Sequence, residues 1–233
     1  MGSGHPILSL KDVRYRWPGR TSFGLDIPDF SIARSESVLL LGESGSGKST
    51  LLSLICGTIT PQAGSVTLSG TDIASLSAGK RDRFRAEQIG LIFQQFNLLP
   101  YASVLDNILL PLRFAPQRRA RAGSAADTAK SLCIDLGLPQ DAIAAQAGTL
   151  SVGQQQRVAA ARALIGAPPL IIADEPTSAL DAATQATFLN LLFAQARASG
   201  STLLMVSHDA RLGTHFDRMV QMSDVTKPVQ AAA

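Results

Sequence analysis

The chain has 233 residues, of which 45% are hydrophobic and 17% are charged. This composition is typical of a folded globular protein and argues against a disordered chain. The formal net charge of +3, from 21 basic and 18 acidic side chains, is too small to indicate a nucleic-acid partner, and we expect none. The apolar runs, such as 38–41 and 203–206, fall far short of the roughly 18 residues that a membrane-spanning helix needs.

The first residues, MGSGHP, have neither the charged nor the apolar region of a secretion signal, so we expect a soluble protein that stays in the cytosol.

The N-terminal part of the sequence predicts β-structure. Apolar and polar residues alternate along 7–17 and 24–33, which predicts two strands of an antiparallel edge layer. The run SVLLL at 37–41 predicts a buried strand, which leads through a glycine-rich turn into a helix from 48 to about 55.

The middle of the chain has a different pattern. From 96 to about 147, helical segments are broken by prolines and a glycine, which predicts an inserted helical subdomain. The later runs LIIAD at 170–174 and TLLMVS at 202–207 are typical of central parallel strands, and a helix is predicted between them from about 181 to 199. The sequence therefore predicts an α/β fold with a mainly parallel sheet, an antiparallel β edge layer and an inserted α-helical subdomain.

The segment GESGSGKS at 42–49 is the strongest functional motif. It matches the phosphate-loop pattern GxxxxGK[ST], follows an apolar strand and opens a helix. Its glycines let backbone amides surround phosphate oxygens, Lys48 adds a positive charge, and the Ser49 hydroxyl can bind Mg²⁺. The residues that we expect to bind a nucleoside triphosphate are Gly42, Glu43, Ser44, Gly45, Ser46, Gly47, Lys48, Ser49 and Thr50.

Two adjacent carboxylates, Asp174 and Glu175, stand at the end of the predicted strand LIIAD. In open α/β sheets the chemistry takes place at the carboxyl ends of the strands. Neighbouring strand residues point to opposite sides, so we assign Asp174 to Mg²⁺ and Glu175 to a water aligned on the γ-phosphate. Alone, such a pair would more often be two solvated acids, but the phosphate loop favours the catalytic interpretation.

The segment LSVGQ at 150–154 predicts the start of a helix. Ser151 and Gln154 form a capping box, which leaves the amides of Val152 and Gly153 and the positive end of the helix dipole available to an anion. The phosphate loop of the same chain already surrounds one nucleotide. A second anion site therefore indicates a dimer, in which Ser151, Gly153 and Gln154 close over the ATP bound to another copy.

Together these motifs resemble the ABC transporter ATPases, whose signature LSGGQ corresponds to LSVGQ here, and the resemblance covers nearly the whole chain. It implies that Gln94, in IFQQFNLLP, senses Mg²⁺ and the attacking water, and so belongs to both the metal site and the catalytic residues. It implies that SALD at 178–181 crosses the dimer, with Asp181 near the nucleotide. It also implies that His208, in VSHD, contacts the γ-phosphate, although a lone histidine there would more often be an ordinary surface residue.

The resemblance also implies a domain organisation. The expected fold is a P-loop NTPase, a single domain over 1–233. Its RecA-like core with the β layer is predicted at 7–93 and 168–225, and its helical subdomain, which includes the signature, at 96–165. The implied assembly is a homodimer of ATPase subunits, and the implied cofactors are ATP and Mg²⁺.

Two positions leave the details of ATP binding open. Trp17, in YRWPG, resembles the aromatic residue that stacks on adenine in this family, but Tyr15 shares its strand face and competes for the role, and core packing would also explain either one. Val152 stands where family members usually have glycine. If the backbone there is ordinary helix, valine costs little, whereas a required positive φ would weaken closure over ATP.

The chain has no predicted span or substrate pocket, so a separate integral membrane permease is implied. An apolar cluster after Gln94, consisting of Phe96, Leu98, Leu99 and Tyr101, is a candidate surface for gripping that permease, and subdomain core is the alternative. The runs FQQFNLLP and DNILLPL resemble the MacB/LolD group, which serves FtsX-like permeases. This implies a peripheral location on the cytoplasmic side of the inner (plasma) membrane. The arginines at 118–121 are interpreted as a solvated face.

Two rival functions remain. A non-transport ABC ATPase acting on ribosomes or DNA would ordinarily carry a second cassette, a coiled-coil arm or a basic extension, and the sequence has none of these. A P-loop kinase or GTPase switch would leave LSVGQ, SALD and His208 without roles. The sequence therefore favours an ATP-hydrolysing transporter subunit.

Overall fold

The computed structural model describes residues 5–18, 24–178 and 180–227. The chain divides into two compact units. Unit 1 consists of Met1–Arg85 and Val206–Ala233, and unit 2 consists of Ala86–Met205. The domain boundaries predicted from the sequence stay a prediction.

Unit 1 contains the predicted antiparallel layer. Its elements, numbered along the chain, are β1 (Leu8–Arg16), β2 (Gly24–Ile32), β3 (Ser37–Leu41), α1 (Lys48–Ile55), β4 (Ala63–Leu68), β5 (Thr71–Asp72), β9 (Arg218–Gln221) and α8 (Met222–Val225). The antiparallel sheet has the order β2-β1-β4-β5, and Leu10 lies opposite Phe30 on one side and Val66 on the other. All three side chains are buried, so the core of the layer lies on this face.

A bulge in β1 decides which side chains enter that core. Asp12 has a φ of 51°, and the register between β1 and β4 shifts beside it. Because a bulge adds one residue to its strand, the alternation moves by one position, and the buried residues are Leu10 before the bulge and Val13 and Tyr15 after it. Gly64 packs so closely here that a Cβ would lie 2.3 Å from the Asp12 carbonyl oxygen.

A parallel strand pair carries the phosphate loop. β3 pairs with β9 in parallel, and every residue of β3 is buried, as its apolar sequence predicts. The start of β3 is fixed to the segment before β9, since the amide and the hydroxyl of Ser37 donate to Asp217 Oδ2 at 2.8 and 2.6 Å. The strand that leads into the phosphate loop is therefore anchored at its start and buried along its length.

Unit 2 contains a second parallel pair and most of the helices. Its elements are β6 (Ile89–Ile92), α3 (Val104–Leu109), α4 (Pro116–Ala122), α5 (Ala125–Asp135), α6 (Val152–Leu164), β7 (Leu170–Asp174) and α7 (Ala182–Ala198), while α2 (Ala78–Gln88) and β8 (Thr202–Ser207) run across the unit boundaries. β6 pairs with β7, with Gly90 opposite Ile171. Helix α6 packs directly on β6, because a Cβ on Gly90 would lie 2.1 Å from the Ala163 carbonyl oxygen. Over the described residues, none of the helices combines the length and the apolarity that crossing a membrane requires.

The arginine run on α4 is not a uniformly solvated face, and that expectation is wrong for Arg118. Arg119 is exposed, but Arg118 is only 1% exposed. The Arg118 guanidinium donates to five backbone carbonyls, those of Ala86, Ile89, Arg162, Ala163 and Ile165, at 2.6 to 3.3 Å. Desolvation on burial lowers the pKa of Arg118 to about 10, and the charge of Arg121 adds to this. Three of the carbonyls belong to the C-terminal end of α6, where helical donors run out, so Arg118 caps that helix.

Candidate functional site

The phosphate loop lies in unit 1, between β3 and α1. Gly45 and Gly47 have φ values of 82° and 99°, which side chains disfavour, so both positions require glycine. A Cβ on Gly42 would lie 2.6 Å from Ser46 Oγ and 3.0 Å from Met222 Cβ. The loop is therefore curled too tightly for larger residues, as a phosphate cradle requires.

The interior of this loop carries the groups that suit an anion. Lys48 is 8% exposed, and its ammonium donates to the carbonyls of Gly42 and Glu43 at 2.5 and 2.8 Å. Ser46 Oγ is buried and has no hydrogen-bond partner within the described residues. A buried polar atom without a partner is rare, and the chemistry of this hydroxyl fits an anion as its acceptor. A phosphate group would supply the acceptor that this hydroxyl lacks and would neutralise Lys48.

Trp17 lies beside the first turn of the helix that follows the loop. Its indole Nε1 donates to Thr50 Oγ1 at 3.2 Å, and its ring packs edge-on against Tyr15 with a centroid distance of 5.3 Å. Tyr15 is only 8% exposed, whereas Trp17 is half-buried. Of the two aromatic residues, Trp17 is therefore the more accessible to a ligand.

His208 follows β8 in unit 1 and is exposed. The turn that carries it is fixed by its neighbours, since the Asp209 amide donates to Ser207 Oγ at 3.1 Å. The Asp209 carboxylate accepts from Arg211 Nε and Nη2 at 2.8 and 2.7 Å, and the hydrogen bond from Arg211 lowers the pKa of Asp209. The backbone around the predicted switch residue is thus well defined.

The two adjacent carboxylates lie in unit 2, and both are half-buried. β7 ends at Asp174, and Glu175 has a φ of 43°, in the left-handed region. The sequence-based assignment of Glu175 assumed that strand alternation continues through this residue. Because Glu175 has left the strand, alternation does not determine where its side chain points. Instead, the turn is held from α6, where the buried Gln156 donates from Nε2 to the Pro176 carbonyl at 2.7 Å.

The signature segment forms the predicted capping box. The Gln154 amide donates to Ser151 Oγ at 3.3 Å, and the Ser151 amide donates to Gln154 Oε1 at 3.0 Å. Val152 has an ordinary negative φ and is 50% exposed, so valine meets no backbone conflict at this position. Because the box is closed, the amides of Val152 and Gly153 face outwards from the helix start, where an anion would be stabilised.

The predicted Q-loop and D-loop residues, Gln94 and Asp181, lie in different segments of unit 2. Gln94 is exposed in the turn after β6. Asp181 caps α7, accepting from the amides of Ala183 and Thr184 at 3.1 and 3.0 Å, and these bonds, those from Thr184 first, lower its pKa. Position 179, within the predicted D-loop, lies outside the described residues.

The predicted apolar cluster after Gln94 is only partly a surface. Phe96 is 6% exposed and belongs to the core, which corrects its assignment to a permease-gripping face. Leu98 and Leu99 are half-buried, and Tyr101 is 74% exposed. Two further aromatic residues that the sequence argument did not select, Phe93 and Phe114, are exposed in the same unit.

Sequence reasoning also missed two buried polar residues of α6. One is Gln156, described above. The other is Arg162, which is 8% exposed and donates from Nη1 and Nη2 to the carbonyls of Asn97 and Phe96 at 2.7 and 2.5 Å. A single clue was available, since both lie on the signature helix among alanines and valine, which predicts a packed face.

A buried strand that runs into a glycine-rich loop with an enclosed lysine and then into a helix defines a P-loop nucleoside triphosphatase. Comparison with known proteins narrows this class. The ABC transporter family matches residues 25–178. The chain is 41% identical over 196 residues to the lipoprotein-releasing system ATP-binding protein LolD of Syntrophotalea carbinolica, covering 84% of this chain and 85% of that one.

Three further comparisons agree. The chain is 42% identical over 195 residues to the macrolide export ATP-binding/permease protein MacB of Rhodopirellula baltica, covering 83% of this chain and 28% of MacB. The dimeric structure of MJ0796, a bacterial ABC transporter cassette, matches with a TM-score of 0.76 and 31% identity, covering 92% of this chain and 94% of that one. A second MJ0796 structure, a dimer in a post-hydrolysis state with ADP and Pi, matches with a TM-score of 0.74.

This chain belongs to the ABC transporter family. It is an ATP-binding and ATP-hydrolysing subunit of that family, and the predicted fold class and enzyme class are confirmed.

Proposed function

We propose that two copies of this chain close around two Mg-ATP and thereby drive a separate membrane permease. The observation that carries the proposal is the presence of two anion sites of different construction. One is the cradle around Lys48 and Ser46 in unit 1. The other is the capped start of α6 at Ser151 in unit 2. Because the cradle already surrounds one triphosphate, the second site serves the ATP of the partner copy, as the dimeric form of MJ0796 supports.

ATP binding falls to residues of unit 1. The amides of 42–47 and the Lys48 ammonium surround the phosphates, and Thr50 contacts the α-phosphate. The Trp17 indole stacks on adenine, a role supported by its hydrogen bond to Thr50 and its partial exposure. The partner contributes Ser151, together with Gly153, Gln154 and Asp181.

Hydrolysis needs the residues that hold Mg²⁺ and the attacking water. Ser49, Gln94 and Asp174 offer a hydroxyl, an amide and a carboxylate oxygen, the ligands that Mg²⁺ prefers, so the three fit this ion. When bound, Mg²⁺ neutralises the charge that develops on the phosphate oxygens. Glu175 aligns the attacking water and accepts its proton, and His208 donates a hydrogen bond to the γ-phosphate.

Complementation between two inactive variants tests the shared site. Lys48→Ala removes the cradle's charge, and Ser151→Arg blocks the signature. If ATP is completed across two chains, a mixed dimer of the two variants has one intact site, and mixing them restores ATPase activity that neither has alone. A mixture of Lys48→Ala with the Lys48→Ala, Ser151→Arg double variant serves as control and stays inactive. Failure of the first mixture to recover activity, with mixed dimers demonstrated, rules out cross-chain completion.

Glu175→Gln tests the catalytic assignment. The amide keeps the shape of the side chain but cannot accept the proton, so ATP still binds while turnover falls by about 100-fold or more. The variant should accumulate as an ATP-bound dimer in gel filtration with Mg-ATP. A monomer, or near-normal turnover, would contradict the assignment.

For the permease, we infer a partner of the FtsX/MacB type. The named relatives support this, since LolD belongs to a lipoprotein-releasing system and MacB joins an ATP-binding part to a permease. The exposed aromatic residues Phe93, Tyr101 and Phe114 offer apolar contacts. The chain then lies on the cytoplasmic side of the inner (plasma) membrane, held by the permease. Recovery from washed membranes with a multi-span partner is the expected result, whereas recovery on ribosomes or DNA would contradict it.

A further inference from the structure

The loop after Gln94 is built from an unusual backbone. Phe96 and Asn97 have φ values of 57° and 49°, two consecutive residues in the left-handed region without a glycine. Such a pair persists only where surrounding contacts hold it. Within the loop, the Phe96 amide donates to the Phe93 carbonyl at 3.0 Å. This bond closes the turn but leaves the carbonyls of Phe96 and Asn97 to other donors.

Arg162 supplies those donors from the signature helix. Its two terminal nitrogens bind the consecutive carbonyls of Phe96 and Asn97, and the side chain is 8% exposed. The planar guanidinium is suited to two parallel bonds, which lysine cannot reproduce. Burial is unfavourable for the cation and lowers the pKa of Arg162. The two hydrogen bonds from Arg162 offset the free-energy cost of its desolvation, and they hold the loop at Phe96 and Asn97 in one geometry.

The same loop is tied to the segment that precedes the signature. The Gly148 amide donates to the Pro100 carbonyl at 2.9 Å, and the Ala147 amide donates to the Ala102 carbonyl at 3.0 Å. A Cβ on Gly148 would lie 3.0 Å from that Pro100 oxygen, so the two strands of chain are in close contact. The segment after Gln94 is thus hydrogen-bonded to residues on both sides of LSVGQ in the sequence. Residues 147–148 precede the signature, and Arg162 follows it.

We propose that Arg162 is a positioning residue that fixes Gln94 to the signature helix, so that the two ATP-contacting groups move together. Arg162 lies eleven residues after Ser151 (162 minus 151) on α6, or roughly 16 Å along the helix axis. Displacing the start of α6 therefore displaces Phe96 and Asn97, and with them Gln94 two residues earlier. The inference rests on the proposed role of Gln94 at Mg²⁺ and the attacking water.

Arg162→Lys tests this coupling. Lysine keeps the charge but cannot hold both carbonyls, so we expect kcat to fall about tenfold through misplacement of Gln94. The KM for ATP should stay within about twofold, because the binding residues of unit 1 are unchanged. The Mg²⁺ concentration that half-saturates binding of a non-hydrolysable ATP analogue should rise about threefold, because Gln94 belongs to the proposed metal site. A merely structural role would not shift the Mg²⁺ dependence.

Arg157→Lys is the matched control. Arg157 lies on the same helix and donates to the Gly137 carbonyl, away from the loop. We expect it to leave kcat and the Mg²⁺ dependence unchanged. Arg162→Gln is the second test variant, because a neutral amide has no buried charge to desolvate and should fold even if the lysine variant does not. It should show the same loss of kcat.

A double-mutant cycle with Gln94→Ala tests whether Arg162 acts through Gln94. If Arg162 acts through Gln94, then Arg162→Gln lowers kcat in the wild type but has no further effect in Gln94→Ala. Losses that multiply in the double variant overturn the inference, and so does a normal kcat in both Arg162 variants. An unchanged kcat in Gln94→Ala alone is a different result, because it removes the proposed function of Gln94 itself.

Discussion

Replacing Arg118 by methionine tests how unit 2 is held together. The guanidinium is fully buried and donates to five backbone carbonyls, of which three belong to the C-terminal end of α6. Methionine fills a similar volume without donors, so those carbonyls lose their partners. Each buried carbonyl left without a donor costs about 1–3 kcal/mol, and relief of the arginine's own desolvation offsets part of this cost, so the net loss is about 3–5 kcal/mol. We expect the free energy of unfolding to fall by that amount.

Urea denaturation followed by far-UV circular dichroism measures this loss. With a slope of about 3 kcal/mol per molar urea for a chain of this size, the midpoint should fall by about 1 to 1.7 M. Arg119→Met is the control, since Arg119 is the exposed neighbour on the same helix. It should change the free energy of unfolding by less than about 0.5 kcal/mol. Equal midpoints for the two variants would show that the Arg118 network contributes nothing.

Three further results are expected. Trp17 is the only tryptophan, so its emission should change on ATP binding, and Trp17→Ala should raise the Kd for ATP about tenfold; an unchanged spectrum at saturating ATP would remove it from the adenine site. Val152→Gly should lower the free energy of unfolding by less than about 1 kcal/mol and change the ATPase rate by less than about twofold, because the backbone there is ordinary helix; a tenfold faster enzyme would contradict this. Burial raises the pKa of the Cys133 thiol to about 11, so iodoacetamide at pH 8 should leave it unmodified in the folded chain by mass spectrometry, and rapid alkylation without unfolding would refute its burial.

The elements that sequence predicted well are those with local causes. The buried strand β3, the start of α1 at Lys48 and the capping box of α6 are each encoded within a few residues. An apolar run, a glycine that permits positive φ, and a serine three residues before a glutamine each act on the backbone beside them. For the same reason, the phosphate loop could be predicted from the eight residues 42–49 alone.

The elements that sequence missed depend on distant backbone. Arg118 was interpreted as solvated and Arg162 was not selected, since neither has an acidic residue at helical spacing that would suggest a buried pair. Their partners are carbonyls, which every residue possesses, so no complementary letter marks the contact. The bulge at Asp12 and the left-handed turn at Glu175 are similarly invisible, because each places a non-glycine residue at a φ that sequence alone disfavours.

These missed contacts explain how short helices can form a rigid unit. Helices α3 and α4 have 6 and 7 residues, too few to be stable alone, so their order must come from tertiary contacts. α6 is the element to which those contacts are made. Ser151 caps its start, Arg118 caps its end, and Gln156 and Arg162 reach from its buried face to the segments after Glu175 and Gln94. A helix fixed at both ends transmits displacement instead of absorbing it, so movement at the signature would reach both segments.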